Sequence, residues 1–82
     1  MYSIEFEKQA RKDIGRLAPK QMRQIQEKID GLARNPRPTG CERVKTMPDY
    51  LRIRSGGYRI LHEVIDKERL VIINRIRHRR EA

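Results

Sequence analysis

The residues best suited to chemistry in this chain are arginines, and they are concentrated in residues 50–80. This segment carries nine Lys or Arg residues against three carboxylates. The guanidinium group stays charged at physiological pH and presents a planar fork of N–H donors that binds two phosphate oxygens at once. We therefore predict that the segment forms a phosphate-holding surface. Its candidate arginines are Arg52, Arg54, Arg59, Arg75, Arg77, Arg79 and Arg80.

A candidate proton-transfer group accompanies these arginines. His78 lies between Arg77 and Arg79, and histidine is the side chain whose charge changes most readily near neutral pH. Arginine is a poor proton shuttle because it does not lose its proton in proteins. His78 is therefore the candidate acid or base of the segment. The alternative is that its ring only packs against a neighbour or orients it.

Three consecutive strands must position these side chains. Residues 51–54 alternate as Leu-Arg-Ile-Arg, which is the period of a half-buried strand. Gly56 and Gly57 predict a tight turn, since glycine adopts the positive φ that hairpin turns require. Residues 58–65 have the length of a second strand, and the apolar run at residues 70–73 begins a third.

The glycine turn determines which side chains share a face of the sheet. With Gly56 and Gly57 at its centre, Arg54 lies opposite Arg59, and opposite residues of an antiparallel pair point to the same side. Arg52 joins this face because it is two residues from Arg54. The other face is mostly apolar and carries Leu51, Ile53, Ile60 and His62.

The turn between the second and third strands decides where the later arginines point. A three-residue turn at residues 67–69 would put Arg75 and Arg77 on the face of Arg59. A two-residue turn would place them among the apolar side chains instead. Because burying unpaired charges is costly, we expect the three-residue turn.

The rest of the chain supplies one strand and a helical layer. Alternation predicts a strand at residues 2–6, apolar spacing predicts helices at 7–17 and 19–34, and a short strand fits residues 42–46. We predict an α+β fold in which the N-terminal strand and a two-helix hairpin pack on one face of a small twisted antiparallel sheet. We expect residues 1–82 to form a single domain, with a core that contains Ile14, Leu17, Met22, Ile25, Ile29, Ile53, Ile60 and Ile72.

Composition limits the class of protein. The chain has 82 residues, a net charge of +9 and a pI of about 10.5, which indicates a polyanion or an acidic protein as partner. One cysteine allows no internal disulfide, and one cysteine with two separated histidines builds no zinc site. The aliphatic runs are too short to span a bilayer, and the N-terminus lacks a signal-peptide pattern. We expect a cytoplasmic protein without a cofactor, metal or membrane contact.

The segment MPDYLRIRSGGYRILHEVID and the later RIRHRRE, in this order of elements, resemble the RelE/ParE superfamily of bacterial toxins from type II toxin–antitoxin pairs. The resemblance covers nearly the whole chain. It is closer to the RelE-type branch, which cuts mRNA on the ribosome, than to the ParE-type branch, which poisons DNA gyrase. It implies a RelE-like fold, a cognate acidic antitoxin, and the ribosome with its mRNA as target. DNA operator binding would occur only through the antitoxin complex.

The resemblance also implies roles for individual residues. Arg52 and Arg54 match the basic strand pair of the RelE-type branch, and Arg59 matches its Tyr-Arg arginine on the scissile phosphate. Arg79, just after His78, matches the late arginine. Members of the branch commonly carry a tyrosine after the Arg-Arg-Glu run, whereas here Ala82 follows. Three alternatives stay open: the tyrosine lies beyond residue 82, His78 does the proton transfer, or catalysis is weak. The expected catalytic residues are thus Arg54, Arg59, His78 and Arg79, and the expected RNA-binding residues are Arg52, Arg75, Arg77, Arg80 and Lys45.

Two other classes of function remain open at the level of sequence. One is a ParE-like toxin that binds gyrase without catalysis of its own. The other is a degenerate toxin that only binds its antitoxin. In either case Arg52, Arg54 and Arg59 would be a solvated face or a docking site for an acidic antitoxin instead of a phosphate clamp.

Overall fold

Two helices and five strands follow one another in the order that the sequence predicts. The computed structural model describes residues 1–81, with the backbone alone described for Pro48 and Glu81. No helix in this part of the chain is long and apolar enough to cross a membrane. The elements are β1 (Ser3–Phe6), α1 (Lys8–Gly15), α2 (Pro19–Arg34), β2 (Glu42–Val44), β3 (Met47–Ser55), β4 (Tyr58–Ile65) and β5 (Leu70–His78), with 3₁₀ turns at Asp66–Glu68 and Arg79–Glu81.

The five strands form one sheet in the order β1-β5-β4-β3-β2. Strands β2 to β5 pair in antiparallel fashion, whereas β1 lies parallel to β5, from Ser3 opposite Leu70 to Phe6 opposite Ile73. The predicted α+β architecture is confirmed. The structure adds that the N-terminal strand joins the edge of the sheet in parallel, so the sheet is mixed.

The core lies between the two helices and one face of the sheet. Helix α2 contributes a stripe spaced by four and three residues, Ile25, Ile29 and Leu32, all at most 2% exposed. Its sheet partners include Ile53 and Ile60, which lie opposite each other on β3 and β4. The buried apolar residues are Ala10, Ile25, Ile29, Leu32, Ile53, Ile60, Val71, Ile73 and Ile76.

Two members of the predicted core were placed wrongly. Met22, in the first turns of α2, is 40% exposed. Ile72 pairs with Glu63 and lies on the face away from the helices, between the buried Val71 and Ile73. The apolar run that begins β5 has no alternation, so the pattern does not show which of its residues face inward. Ile14 and Leu17 are partly buried and pack against the core.

A one-residue bulge in β5 sets the facing of the C-terminal arginines. The expected three-residue turn is wrong, because Ile65 pairs with Leu70 and four residues lie between them. An extra residue on β5, Asn74, then shifts the register. After this shift Arg77 pairs with Arg59. The predicted facing of Arg77 is therefore confirmed, although a bulge produces it and not the turn.

The β4–β5 turn is fastened to the loop after α2 by a bidentate ion pair. Arg37 Nη1 and Nη2 donate to the two carboxylate oxygens of Asp66 at 3.1 and 2.8 Å, and the Tyr2 hydroxyl donates to Asp66 Oδ1 at 2.6 Å. These hydrogen bonds, with those from Arg37 the larger cause, lower the pKa of Asp66 from 3.8 to about 2. Folding therefore favours the ionised carboxylate.

We expect this pair to give a pH-dependent difference between the parent and Asp66→Asn. Because the folded pKa is the lower one, the contribution is fully present above the unfolded value of 3.8 and is lost as the pH falls through about 2. Urea unfolding from pH 7 to pH 2 should show a parent advantage that is constant in the upper range and shrinks in the lower. Glu68→Gln, which removes an exposed carboxylate from the same turn, is the control. A parent advantage that persists unchanged at pH 2 contradicts this account.

Candidate functional site

Three arginines lie side by side across three neighbouring strands. Arg54 on β3 pairs with Arg59 on β4, and Arg59 pairs in turn with Arg77 on β5. These residues alternate with Ile53, Ile60 and Ile76, which are buried under the helices. The row therefore lies on the open face of the sheet. Like charges directly opposite each other are destabilising in a sheet, so a bound anion beside the row would be stabilising.

Two shallow cavities flank this row and share Arg59. The first has a volume of about 180 Å³ and the second about 70 Å³. No carboxylate side chain lines either cavity in the part of the chain that the structure describes. The first is lined by Val44, Met47, Arg52, Arg59, Leu61, Arg77 and His78. The second is lined by Arg54, Gly56, Gly57, Tyr58, Arg59 and Arg79.

Most of the positive charge at these cavities is not neutralised locally. Among the described side chains, no carboxylate lies within 4.0 Å of the charged groups of Arg54, Arg59 or Arg79. Arg52 has one partner, Glu42, at a long 3.4 Å, and its Nε is buried without a hydrogen-bond partner in the described chain. The Nε–H group of Arg52 is thus a hydrogen-bond donor that is already removed from water. Such a donor favours binding of a charged acceptor.

His78 reaches the site from the end of β5. It pairs with Tyr58 and packs edge-on against that ring, with ring centroids 5.1 Å apart. Its Nδ1 accepts a hydrogen bond from the backbone N–H of Arg80 at 3.2 Å, so the neutral ring carries its proton on Nε2. Gly57 permits the approach, because a Cβ there would stand 3.1 Å from Nε2. The imidazole lies at the end of the sheet, where it borders both the first cavity and a cavity of about 80 Å³ on the helix side that Asp13 and Tyr58 also line.

Three predicted RNA-binding residues lie outside the cavities. Arg75 is drawn to helix α1, where its Nε donates to Asp13 Oδ2 at 2.9 Å. Arg80 is exposed in the last 3₁₀ turn. Lys45 is exposed in the turn between β2 and β3, next to the cavity-lining residues at positions 44 and 47. The structure thus brings Arg52, Arg54, Arg59, Arg77, His78 and Arg79 together and leaves the other three at or beyond the margin.

Asp13 belongs to this region, although the sequence pattern did not mark it as a site residue. Strand β1 pairs with β5 only as far as Ile73, so beyond that point the outer edge of β5 has no strand partner among the described residues. Asp13, 6% exposed, closes this edge by accepting the backbone N–H of Ile76 at 2.9 Å as well as Arg75 Nε. The available signal was a carboxylate beside Ala10 and Ile14 on the apolar side of α1.

Fold and site together define a small basic α+β protein with an arginine-lined face suited to anions. Residues 4–82 match the family model described as ParE toxin of type II toxin-antitoxin system, parDE. The chain belongs to this family of toxins, and the relatives below are of the RelE type within it.

Two curated proteins and one solved structure show the similarity. Toxin RelG of Mycobacterium tuberculosis is 30% identical over 79 residues, covering 95% of this chain and 91% of that protein. The mRNA interferase toxin RelE of Escherichia coli is 28% identical over 74 residues, covering 88% and 77%. The archaeal RelE–RelB complex from Pyrococcus horikoshii superposes with a TM-score of 0.84 at 26% identity, covering 99% of this chain and 98% of that one.

We expect Asp13→Ala to loosen the edge of β5 that carries Arg77. Removing a buried charged acceptor from two donors should lower the free energy of unfolding by about 1–3 kcal/mol and speed amide exchange at Ile76. Urea denaturation and hydrogen exchange measure the two effects. Asp30→Ala, which removes an exposed helix carboxylate, should produce neither. Unchanged exchange at Ile76 would show that Asp13 does not hold this edge.

Proposed function

We propose that this chain is a cytoplasmic, ribosome-dependent mRNA endonuclease that inhibits translation as the toxin of a type II pair. The observation that carries the proposal is the position of Arg59 between the two cavities. Four further arginines line these cavities, and no described carboxylate does. Arginine forks suit phosphate oxygens, and their repetition along the face suits a chain of phosphates. The relative named mRNA interferase toxin RelE supports the same substrate.

The reaction that fits this site uses the RNA's own nucleophile. The 2′-hydroxyl oxygen attacks the adjacent phosphorus, the bond from phosphorus to the 5′-oxygen breaks, and the products are a 2′,3′-cyclic phosphate and a 5′-hydroxyl. Negative charge develops on the phosphoryl oxygens in the transition state, where Arg54, Arg59 and Arg79 would stabilise it. One proton leaves the 2′-hydroxyl and one reaches the 5′-oxygen. His78 is the group at the cavity rim suited to proton transfer near neutral pH. To take up the 2′-hydroxyl proton at Nε2, its ring must first exchange to the tautomer with the proton on Nδ1, which gives up the 3.2 Å hydrogen bond from the Arg80 N–H. The proton it then holds on Nε2 is the one that passes to the 5′-oxygen.

The natural partner in this proposal is a cognate acidic antitoxin. Solved relatives include complexes of RelE with RelB, such as the one from Pyrococcus horikoshii. A chain of 82 residues with a net charge of +9 favours an acidic partner, because opposite potentials steer association. In the proposal the antitoxin neutralises the toxin, and contact with an operator DNA occurs only through the complex of both.

A second candidate function is a ParE-like toxin that binds gyrase without catalysis. The description of the matching family, which names ParE, is the observation that favours it. A supercoiling assay with purified gyrase separates the two, since an mRNA endonuclease should leave supercoiling unchanged. A degenerate toxin that only binds its antitoxin would be inactive in both assays.

The decisive variant for the endonuclease is Arg59→Ala. Losing one donor that acts on developing charge should lower the cleavage rate on programmed ribosomes by roughly 10²–10³-fold. Stability should change by only about 0.5 kcal/mol, because the side chain is not in the core, and ribosome binding should persist through the other cations. Arg59→Lys should recover only part of the rate, since a point charge does not replace the planar fork.

Arg23→Ala is the matched control, because it removes the same charge from an exposed position on α2. It should cleave at nearly the parent rate. If Arg59→Ala is folded and cleaves as fast as the parent, Arg59 is only a surface charge and this assignment of the arginine face fails.

A further inference from the structure

The first cavity has an apolar side that a phosphate clamp does not need. Val44, Met47 and Leu61 line it together with the arginines, and Met47 is 44% exposed. We call these three residues the apolar wall. In the described chain none of them belongs to the hydrophobic core or packs against it. The apolar wall therefore does not contribute to the hydrophobic core that stabilises the fold.

The wall is built by an irregular pairing of β2 with β3. Arg43 pairs with Leu51, yet the next residue of β2, Val44, pairs with Met47. Residues 48–50 of β3 thus have no partner on β2, which is a bulge of three residues. The bulge places Met47 directly opposite Val44, across a two-residue turn. Bulges often re-aim side chains beside functional sites, and this one places an apolar surface at the cationic cavity.

The cavity as a whole suits a ligand that is anionic at one end and apolar and flat at the other. Arg52, Arg59 and Arg77 line the same cavity of about 180 Å³ as the apolar wall, and Leu61 lies directly opposite Arg52 in the pairing of β3 with β4. A nucleotide combines these properties, since its base has an apolar face beside a phosphate. The thioether of a methionine such as Met47 makes favourable contacts with aromatic rings. Arg59 continues the positive charge into the second cavity, which favours a polymer of phosphates over an isolated anionic side chain.

We propose that the apolar wall holds one nucleobase of the RNA beside the phosphate on Arg59, and that Met47 thereby sets the base preference of cleavage. This inference rests on the proposed endonuclease function and adds to it a specificity determinant. Contact with an apolar surface discriminates bases by size and by the polar groups left unpaired. Arg59, in contrast, acts on a phosphate that every nucleotide carries. The two residues should therefore have separable effects.

The test uses programmed ribosomes carrying messages that differ only in the nucleotide on either side of the mapped cut. Parent, Met47→Ala and Met47→Leu are compared by kcat/KM for each of the four bases. In the parent, the preference is the ratio of kcat/KM for the best base to that for the worst. Met47→Ala should lower this ratio about 10-fold, mainly through a higher KM for the best base. Met47→Leu should keep most of the preference. Met22→Ala, which truncates another exposed methionine on α2, should leave it unchanged.

Three results would overturn the inference. In the first, Met47→Ala is folded, as shown by its urea transition, and keeps the parent's base preference. In the second, it slows the cutting of all four messages by the same factor. In the third, Met47→Ala weakens binding of the antitoxin and leaves the base preference unchanged, which would assign the apolar wall to a protein partner. Failure of the proposed function looks different, because then the parent itself cuts none of the messages.

Discussion

The structure depends on a single extra residue in the strand that carries the C-terminal arginines. Side chains alternate along a strand with a period of two, so one inserted residue exchanges the faces of everything after it. Without the bulge at Asn74, Arg77 would face the helices and Ile76 would face solvent. Asn74 is buried, and its Nδ2 donates to Glu7 at 2.5 Å and to Glu63 at 2.8 Å. These two hydrogen bonds anchor the bulge, and both the core and the arginine face follow from it.

The resulting face of the sheet is divided by charge. The carboxylates of Glu7 and Glu63 lie at the bulge, whereas Arg54, Arg59 and Arg77 form a row nearer the hairpin tip. Backbone pairing on both sides of β4 holds the row in place, so like charges stay close although they repel each other. In the proposed reaction, side chains whose starting positions are set before the RNA binds need less reorganisation, which favours electrostatic stabilisation of the transition state.

Much of this arrangement could be predicted from the sequence because its causes are local. The glycine pair in the hairpin predicted Arg54 opposite Arg59, and the alternation of β3 predicted the buried Ile53. The bulge could not be predicted, since no glycine or proline marks it and the apolar run before it does not alternate. Asp13 and the apolar wall were missed because their roles depend on contacts between distant segments. A period or a turn pattern does not show such contacts.

In the proposed reaction, the arginine face acts on a phosphate whose neighbouring 2′-hydroxyl is the nucleophile. The most direct measurement places a single 2′-deoxynucleotide on the 5′ side of the mapped cut in a message bound to the ribosome. We expect the toxin to bind this complex as it binds the unmodified one, to leave the modified position uncut, and to leave a 2′,3′-cyclic phosphate on the unmodified message. Cleavage of the deoxy position at the rate of the unmodified message would contradict the account.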